Sequence, residues 1–237
     1  MPTAPAPPAL AAPATARVEA PAPARRRLLR GGLAVAAASL AWPALASSRR
    51  ALAPMTDGPF YPAAAWRGQW PDWDADLTRV ERGPMVSPAQ GEHLGLEAQV
   101  ADTSGRLVDG AEVEIWQCDA LAAYRHARVA QEPGRFDPAF AGFGAARSGR
   151  EGRVAFRTIK PVPYPGRTPH IHVKLRHSSF GEHTSQLFLA GDPGNARDFL
   201  WRSLDAADRP GLEMRLEPAA AGSGLRWQVR HALVVPA

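Results

Sequence analysis

Residues 158–175, TIKPVPYPGRTPHIHVKL, constrain this chain more than any other stretch. Nine consecutive residues hold a phenol (Tyr164), a guanidinium (Arg167) and two imidazoles (His170 and His172). HIHVKL alternates polar and apolar, the period of a strand with one face in a core. Residues two apart share a face, so the imidazoles lie together while Ile171, Val173 and Leu175 point the other way. PVPYPG cannot be regular strand or helix, because its prolines lack donors and fix φ. A rigid loop thus runs straight into a strand and can hold Tyr164 and Arg167 over the spot that both imidazoles face.

His-x-His also occurs in sheets that bind nothing, so the phenols carry the argument. WQCDALAAYRH (116–126) places Tyr124 just beyond a strand ending near Trp116. Two tyrosines and two histidines make an unusual ligand set. Neutral imidazole suits several transition metals, whereas phenolate is a hard, anionic donor for a highly charged ion. Ferric iron fits best, since tyrosinate also ligates ferric haem. A phenol has a pKa near ~10 and stays neutral unless a bound cation draws off its proton.

With these residues in view, the chain resembles the intradiol ring-cleavage dioxygenases, the group of protocatechuate 3,4-dioxygenase and catechol 1,2-dioxygenase. The matching pieces are DGPFYP (57–62), LVDGAEVEIWQCDALAAYRH (107–126), FDPAFAGFGAARSGREGRVAFRTIKPVPYPGR (136–167), PHIHVKL (169–175) and TSQLFLAGDP (184–193). The resemblance implies non-haem Fe(III) held by Tyr124, Tyr164, His170 and His172. It implies a catechol-type substrate cleaved by O2 to a cis,cis-muconate-type product, both oxygen atoms entering it. Within that family pattern Tyr164 is axial, opposite His170, and leaves as substrate binds; Tyr124 and His172 are equatorial. Arg167 matches the family's active-site arginine, a fixed cation that stabilises negative charge on the ring. Gln186 matches its glutamine, a hydrogen-bond partner for an intermediate; its plainer reading is a polar residue at a strand edge. Two departures stand out. Only Pro165 and Gly166 separate the loop tyrosine from the arginine, where some members carry a longer insertion. The chain is also too short for the helical N-terminal dimerisation domain of catechol 1,2-dioxygenases, which leaves it closer to a protocatechuate-type subunit. A homo-oligomer is compatible with this reading.

The rest of the chain supplies a setting. Residues 2–24 are mostly Ala, Pro and Thr and too poor in large apolar groups to fold. Arg25 and Arg26 then open an Ala-rich apolar run that closes at Ala44-Leu45-Ala46, so 1–46 reads as a twin-arginine export signal. The expected location is outside the cytoplasm, in the periplasm; an uncleaved signal acting as membrane anchor is the alternative. Gly31, Gly32 and Pro43 interrupt the run, which argues against a spanning helix or stable insertion after cleavage. The formal charge of +5 includes five arginines and one glutamate in 1–46, so the remainder carries +1. Basicity is therefore no sign of nucleic-acid binding, and no Lys/Arg run with interleaved aromatics follows. A single cysteine, Cys118, excludes an internal disulfide, and its place after Trp116 predicts a buried thiol.

Residues 47–80 read as an irregular arm and 81–237 as the catalytic domain. Strands are predicted over 94–100, 111–117, 153–159, 170–175, 186–190 and 226–235, separated by turn signals such as Asp109-Gly110. One helix is expected, NARDFLWRSL (195–204), while 127–152 reads as the longest irregular connection, at the mouth of the site. The fold class is all-β: a sandwich of short mixed or antiparallel strands with long loops and at most one short helix. Two other readings compete. A transthyretin-like binding module suits LVDGAEVEIWQ but has no use for two tyrosines and two histidines at these spacings. A cupin needs a glutamate soon after His-x-His, and the next one, Glu182, lies beyond a turn. His93, His126, His177, His183 and His231 lack any pattern and default to surface or structural roles, and Trp116 to the core.

Overall fold

A computed structural model describes residues 50–62, 72–80, 87–126 and 135–237. Among them the strands are β1 (His93–Asp102), β2 (Glu112–Trp116), β3 (Phe143–Arg147), β4 (Arg153–Ile159), β5 (His170–His177), β6 (Gly181–Leu189), β7 (Glu213–Met214), β8 (Glu217–Pro218) and β9 (Trp227–Val235). They form two sheets, ordered β4-β1-β9-β8 and β3-β2-β5-β6-β7. The first is mixed, with β1 antiparallel to β4 and parallel to β9. The second is antiparallel apart from the short β6–β7 pair. This is the all-β sandwich expected from the strand pattern.

The period of two decides what lies between the sheets. Ile171, Val173 and Leu175 are fully buried and join Val113, Ile115 and Leu187 in one core with Leu94, Leu96, Val229 and Leu233 of the other sheet. Each such side chain contributes about 1.5–3 kcal/mol through burial. His170, His172, Lys174 and Arg176 therefore emerge on the opposite face of β5, away from the sandwich core.

Three strands escaped the sequence reading. β3 lies inside 127–152, which is thus not wholly irregular; 127–134 falls outside the described residues. FGAAR lacks β-branched residues and becomes a strand only by pairing with β2. Gly144 lets residues 74–77 pack onto this strand, because a Cβ there would meet the Asp74 carbonyl oxygen at 2.6 Å. The two-residue strands β7 and β8 are too short to show a period. The expected helix 195–204 is split at Asp198 into a 3-10 turn (Asn195–Arg197) and α1 (Phe199–Ser203). A second short helix, α2 (Arg209–Leu212), begins with Pro at its first turn, where the missing donor does no harm. No helix among the described residues is long and apolar enough to cross a membrane.

Residues 50–55 close the edge of the sandwich beside β6, with Leu52 in the core and its N–H donating to the Val234 carbonyl of the first sheet, and 56–62 continue over the outer side of the second sheet. Met55 N donates to the Thr184 carbonyl, and Ser185 and His183 reach the Ala53 and Leu52 carbonyls. Gly58, at φ +72°, then turns the arm past His172, whose Cε1 lies 3.5 Å from where a Cβ would stand.

Candidate active site

β5 carries His170 and His172 side by side, with rings 4.9 Å apart. The segment after β2 returns Tyr124 to the same place. Its hydroxyl stands 3.3 Å from His170 Nε2 and 3.2 Å from His172 Nε2. Tyr164, on the proline loop, meets Tyr124 edge-on at 5.6 Å between ring centres and lies 5.5 Å from His170. The four side chains proposed from sequence as ligands are thus brought together, although 46 residues separate Tyr124 from His170.

Each imidazole is fixed differently. His170 Nδ1 lies 2.6 Å from the Thr168 carbonyl, which as an acceptor requires Nδ1–H and leaves Nε2 with a lone pair. His172 stacks on Trp116, 4.6 Å between centres and 10° between planes, so Trp116 is core and second wall of the site at once. Burial holds the His170 pKa down at about 4, helped by the Arg167 charge, and burial with the neighbouring His170 holds His172 well below the usual imidazole range. Burial likewise raises both phenols, Tyr124 far more than the half-buried Tyr164, where Arg167 acts in the opposite direction. Four neutral oxygen and nitrogen donors therefore face one point. Tyr124 has one hydroxyl proton and two imidazole nitrogens in reach, and the buried His172 Nδ1 has no hydrogen-bond partner. The donor chemistry fits a cation that takes nitrogen lone pairs and ionises phenols. Among the described residues no group of three or more His, Cys, Asp or Glu could hold a metal, so an ion here depends on the tyrosines.

Arg167 and Gln186 border the same place. Arg167 Nη2 donates to Gln186 Oε1 at 2.6 Å and Nε to Asp198 Oδ2 at 2.8 Å. Gln186 pairs in register with His172 on β6, beyond the short stretch of that strand that β7 covers, and is fully buried. Tyr164, Arg167, His172 and Gln186 line an open cavity of about 360 Å³, with Phe60 and Phe199 on its other sides. That is within the range of small-molecule sites. A second cavity of about 480 Å³ lies against Tyr124, Tyr164, Phe60, Leu121 and Arg135. Phe60 stacks on Tyr124 at 4.5 Å and 12°.

Sequence reasoning overlooked Asp198, Thr168 and Phe60. The signal for Asp198 was present: an aspartate just before an apolar helical run is an N-cap pattern. Its carboxylate accepts from Leu200 N and Trp201 N. Burial raises its pKa, but the Thr168, Trp201 and Arg167 donors outweigh that and leave it low. The remaining histidines are structural where buried: His183 reaches the Leu52 carbonyl and His231 that of Gly211. Cys118 is buried, its thiol pushed up to about 12 by burial and by neighbouring Asp119. Arg25 and Arg26 lie outside the described residues.

A family model described as "Dioxygenase" matches residues 58–232. The beta chain of protocatechuate 3,4-dioxygenase from Burkholderia cepacia is 34% identical over 167 residues, 65% of this chain and 69% of that one. The chain belongs to the intradiol ring-cleavage dioxygenase family. Catechol 1,2-dioxygenase of Pseudomonas sp. (strain EST1001) is 28% identical over 189 residues, 75% of this dioxygenase and 60% of the relative. Among solved structures, the dioxygenase domain of a carbohydrate-binding fusion protein from Streptomyces sp. SirexAA-E aligns with TM-score 0.57 and 26% identity. It covers 79% of this chain and 99% of that domain.

Proposed function

We propose that this dioxygenase cleaves the ring of a catechol between its two oxygen-bearing carbons, using O2 and non-haem Fe(III) held by Tyr124, Tyr164, His170 and His172. The observation that carries the reading is the approach of the Tyr124 hydroxyl to both Nε2 atoms, at 3.3 and 3.2 Å. Ferric iron would supply Lewis-acid chemistry, drawing electron density from a chelated catechol so that its ring reacts with O2. The chain's own residues do the rest. Tyr124, deeply buried and stacked under Phe60, stays in place throughout. Tyr164 is half-buried between the two cavities, so its phenol can move aside and take a proton from a substrate hydroxyl at its Oη. Arg167 presents a fixed cation to the 360 Å³ cavity and stabilises negative charge on the ring. Gln186, tied to Arg167, adds a hydrogen bond. Phe60, Pro165 and Phe199 give the cavity an apolar wall against which an aromatic ring can lie. The product is a cis,cis-muconate-type diacid carrying both atoms of O2. Export through the twin-arginine signal in 1–46 belongs to the same reading. It is tested by replacing Arg25 and Arg26 with Lys, which should retain active protein in the cytoplasm.

The purified protein should be wine-red from phenolate-to-iron charge transfer, and should consume O2 with members of a catechol panel. A pale protein, inert to every catechol after iron loading, would sink the reading. The two phenols are separated by stopped-flow absorbance under nitrogen. Tyr164→Phe should keep iron but bind catechol on the order of 100-fold more slowly, for want of the general base. Tyr124→Phe should lose the colour as well.

A further inference from the structure

Asp198 has no place in the reading above, yet its carboxylate is completely buried and ties four donors together. Oδ1 accepts from the backbone N–H groups of Leu200 and Trp201 at 2.9 and 3.0 Å. Oδ2 accepts from Arg167 Nε at 2.8 Å and from the Thr168 backbone N–H at 2.9 Å. Thr168 in turn holds His170 through its carbonyl, and its hydroxyl donates to Asn195 Oδ1 at 2.8 Å. A guanidinium on a Pro-Gly loop has several rotamers open to it. With Nε tied to Asp198 and Nη2 to Gln186, its plane is fixed on two edges, and Phe199 of α1 lies over it at 5.5 Å. The same carboxylate that starts α1 thereby sets the direction in which Arg167 points.

We propose that Asp198 is the positioning residue for Arg167, holding its fork of donors toward the cavity so that the cation meets charge developing on the bound aromatic. The proposal rests on the ring-cleavage reading of the site. It extends it to a residue that touches neither substrate nor metal ligand and reaches the cavity through the Arg167 side chain, its other donors being backbone N–H groups. The chemistry of the cap makes the role separable. An amide has one oxygen, so Asp198→Asn can serve either the helix pair or the Arg167–Thr168 pair, but not both. In the second place it would turn N–H groups toward N–H groups.

The test is a double-mutant cycle on the iron-loaded enzyme. Asp198→Asn alone should lower kcat about 100-fold, the scale of losing one aligned donor to transition-state charge. In an Arg167→Ala background the same change should cost less than about 3-fold, because the residue it positions is gone. Equal losses in both backgrounds would mean a merely structural role and overturn the proposal. Should Asp198→Asn fail to fold, Arg167→Ala alone still decides. Guanidinium ion at sub-denaturing concentration should restore its activity with saturation, because the carboxylate slot remains; absence of rescue rejects the idea. A crystal structure of Asp198→Asn adds a readout independent of turnover. Arg167 should leave Gln186, and an unmoved guanidinium in that structure counts against the proposal. A wild-type enzyme that turns over no catechol defeats the ring-cleavage reading instead, and the crystal structure still reports on Asp198.

Discussion

The outer face of β5 divides into two regions that look alike in sequence and behave in opposite ways. At one end stand His170 and His172, at the other Lys174 and Arg176, all on one face by the same alternation. Lys174 is almost fully buried, yet Asp57 and Glu182 meet its ammonium at 2.6 and 3.1 Å and the Tyr61 ring lies 4.2 Å away. Arg176 meets Glu112, Glu114 and Glu182, and donates to the Tyr61 hydroxyl at 2.7 Å. Every charge there stands beside one of opposite sign. At the histidine end, two imidazoles and two phenols are buried with no carboxylate among them, and burial pushes every one toward its neutral form. A balanced cluster is scaffold: it clasps the arm and so seats Phe60 on Tyr124. The unbalanced one, four donors without charge partners, suits the cation proposed above.

That contrast can be broken from either side, and the largest effect belongs to the unbalanced end. His172→Leu should abolish most iron binding and lower O2 uptake on the order of 1000-fold, since a metal's Lewis acidity is worth several kcal/mol. The metal-free variant should nevertheless be more stable than metal-free wild type by about 1 kcal/mol, because a buried nitrogen without a hydrogen-bond partner has given way to an apolar side chain. Iron per subunit and urea midpoints measure the two halves of that expectation. A destabilised metal-free variant would show that the histidine end is scaffold as well.

At the balanced end, Glu114→Ala strips a buried carboxylate from the Arg176 guanidinium and the Tyr61 hydroxyl. It should cost about 3 kcal/mol in urea unfolding, while iron bound per folded molecule stays at the wild-type level. Iron lost in proportion to stability would remove the distinction between the two regions.

Core histidines give a third handle, free of the metal. Burial lowers the His231 pKa to about 4, opposed only by its bond to the Gly211 carbonyl. A group with a depressed folded pKa supports stability above its unfolded pKa, near 6.5. That support is lost as pH falls toward 4, because the unfolded chain takes up the proton first. The loss from this one residue is about 3 kcal/mol at pH 4. Urea midpoints across that range should fall less steeply for His231→Leu than for wild type. Parallel slopes would mean that His231 takes up its proton at the same pH whether folded or unfolded. The smallest effect is expected at the join of the two regions. Phe60→Leu removes the stack on Tyr124, worth about 1 kcal/mol, and should weaken catechol binding roughly fivefold with a shifted colour band and little change in stability.

Local chemistry in the chain was enough to determine the β-sandwich class, six of the strands, the face on which His170 and His172 lie, and the proline loop that carries Tyr164 and Arg167. These follow from periods of two and from fixed φ angles, which act between neighbours. Tertiary structure alone decided the partners. Lys174 finds Asp57 across 117 residues, Arg167 finds Asp198 across 31, and FGAAR becomes a strand because β2 lies beside it. Such pairings depend on how strands order in the sheets and on which loops cover them, and no local period records that. Asp198 shows the boundary most plainly. Its place before an apolar run marks a helix cap within four residues, whereas its hold on Arg167 exists only once α1 packs against the proline loop.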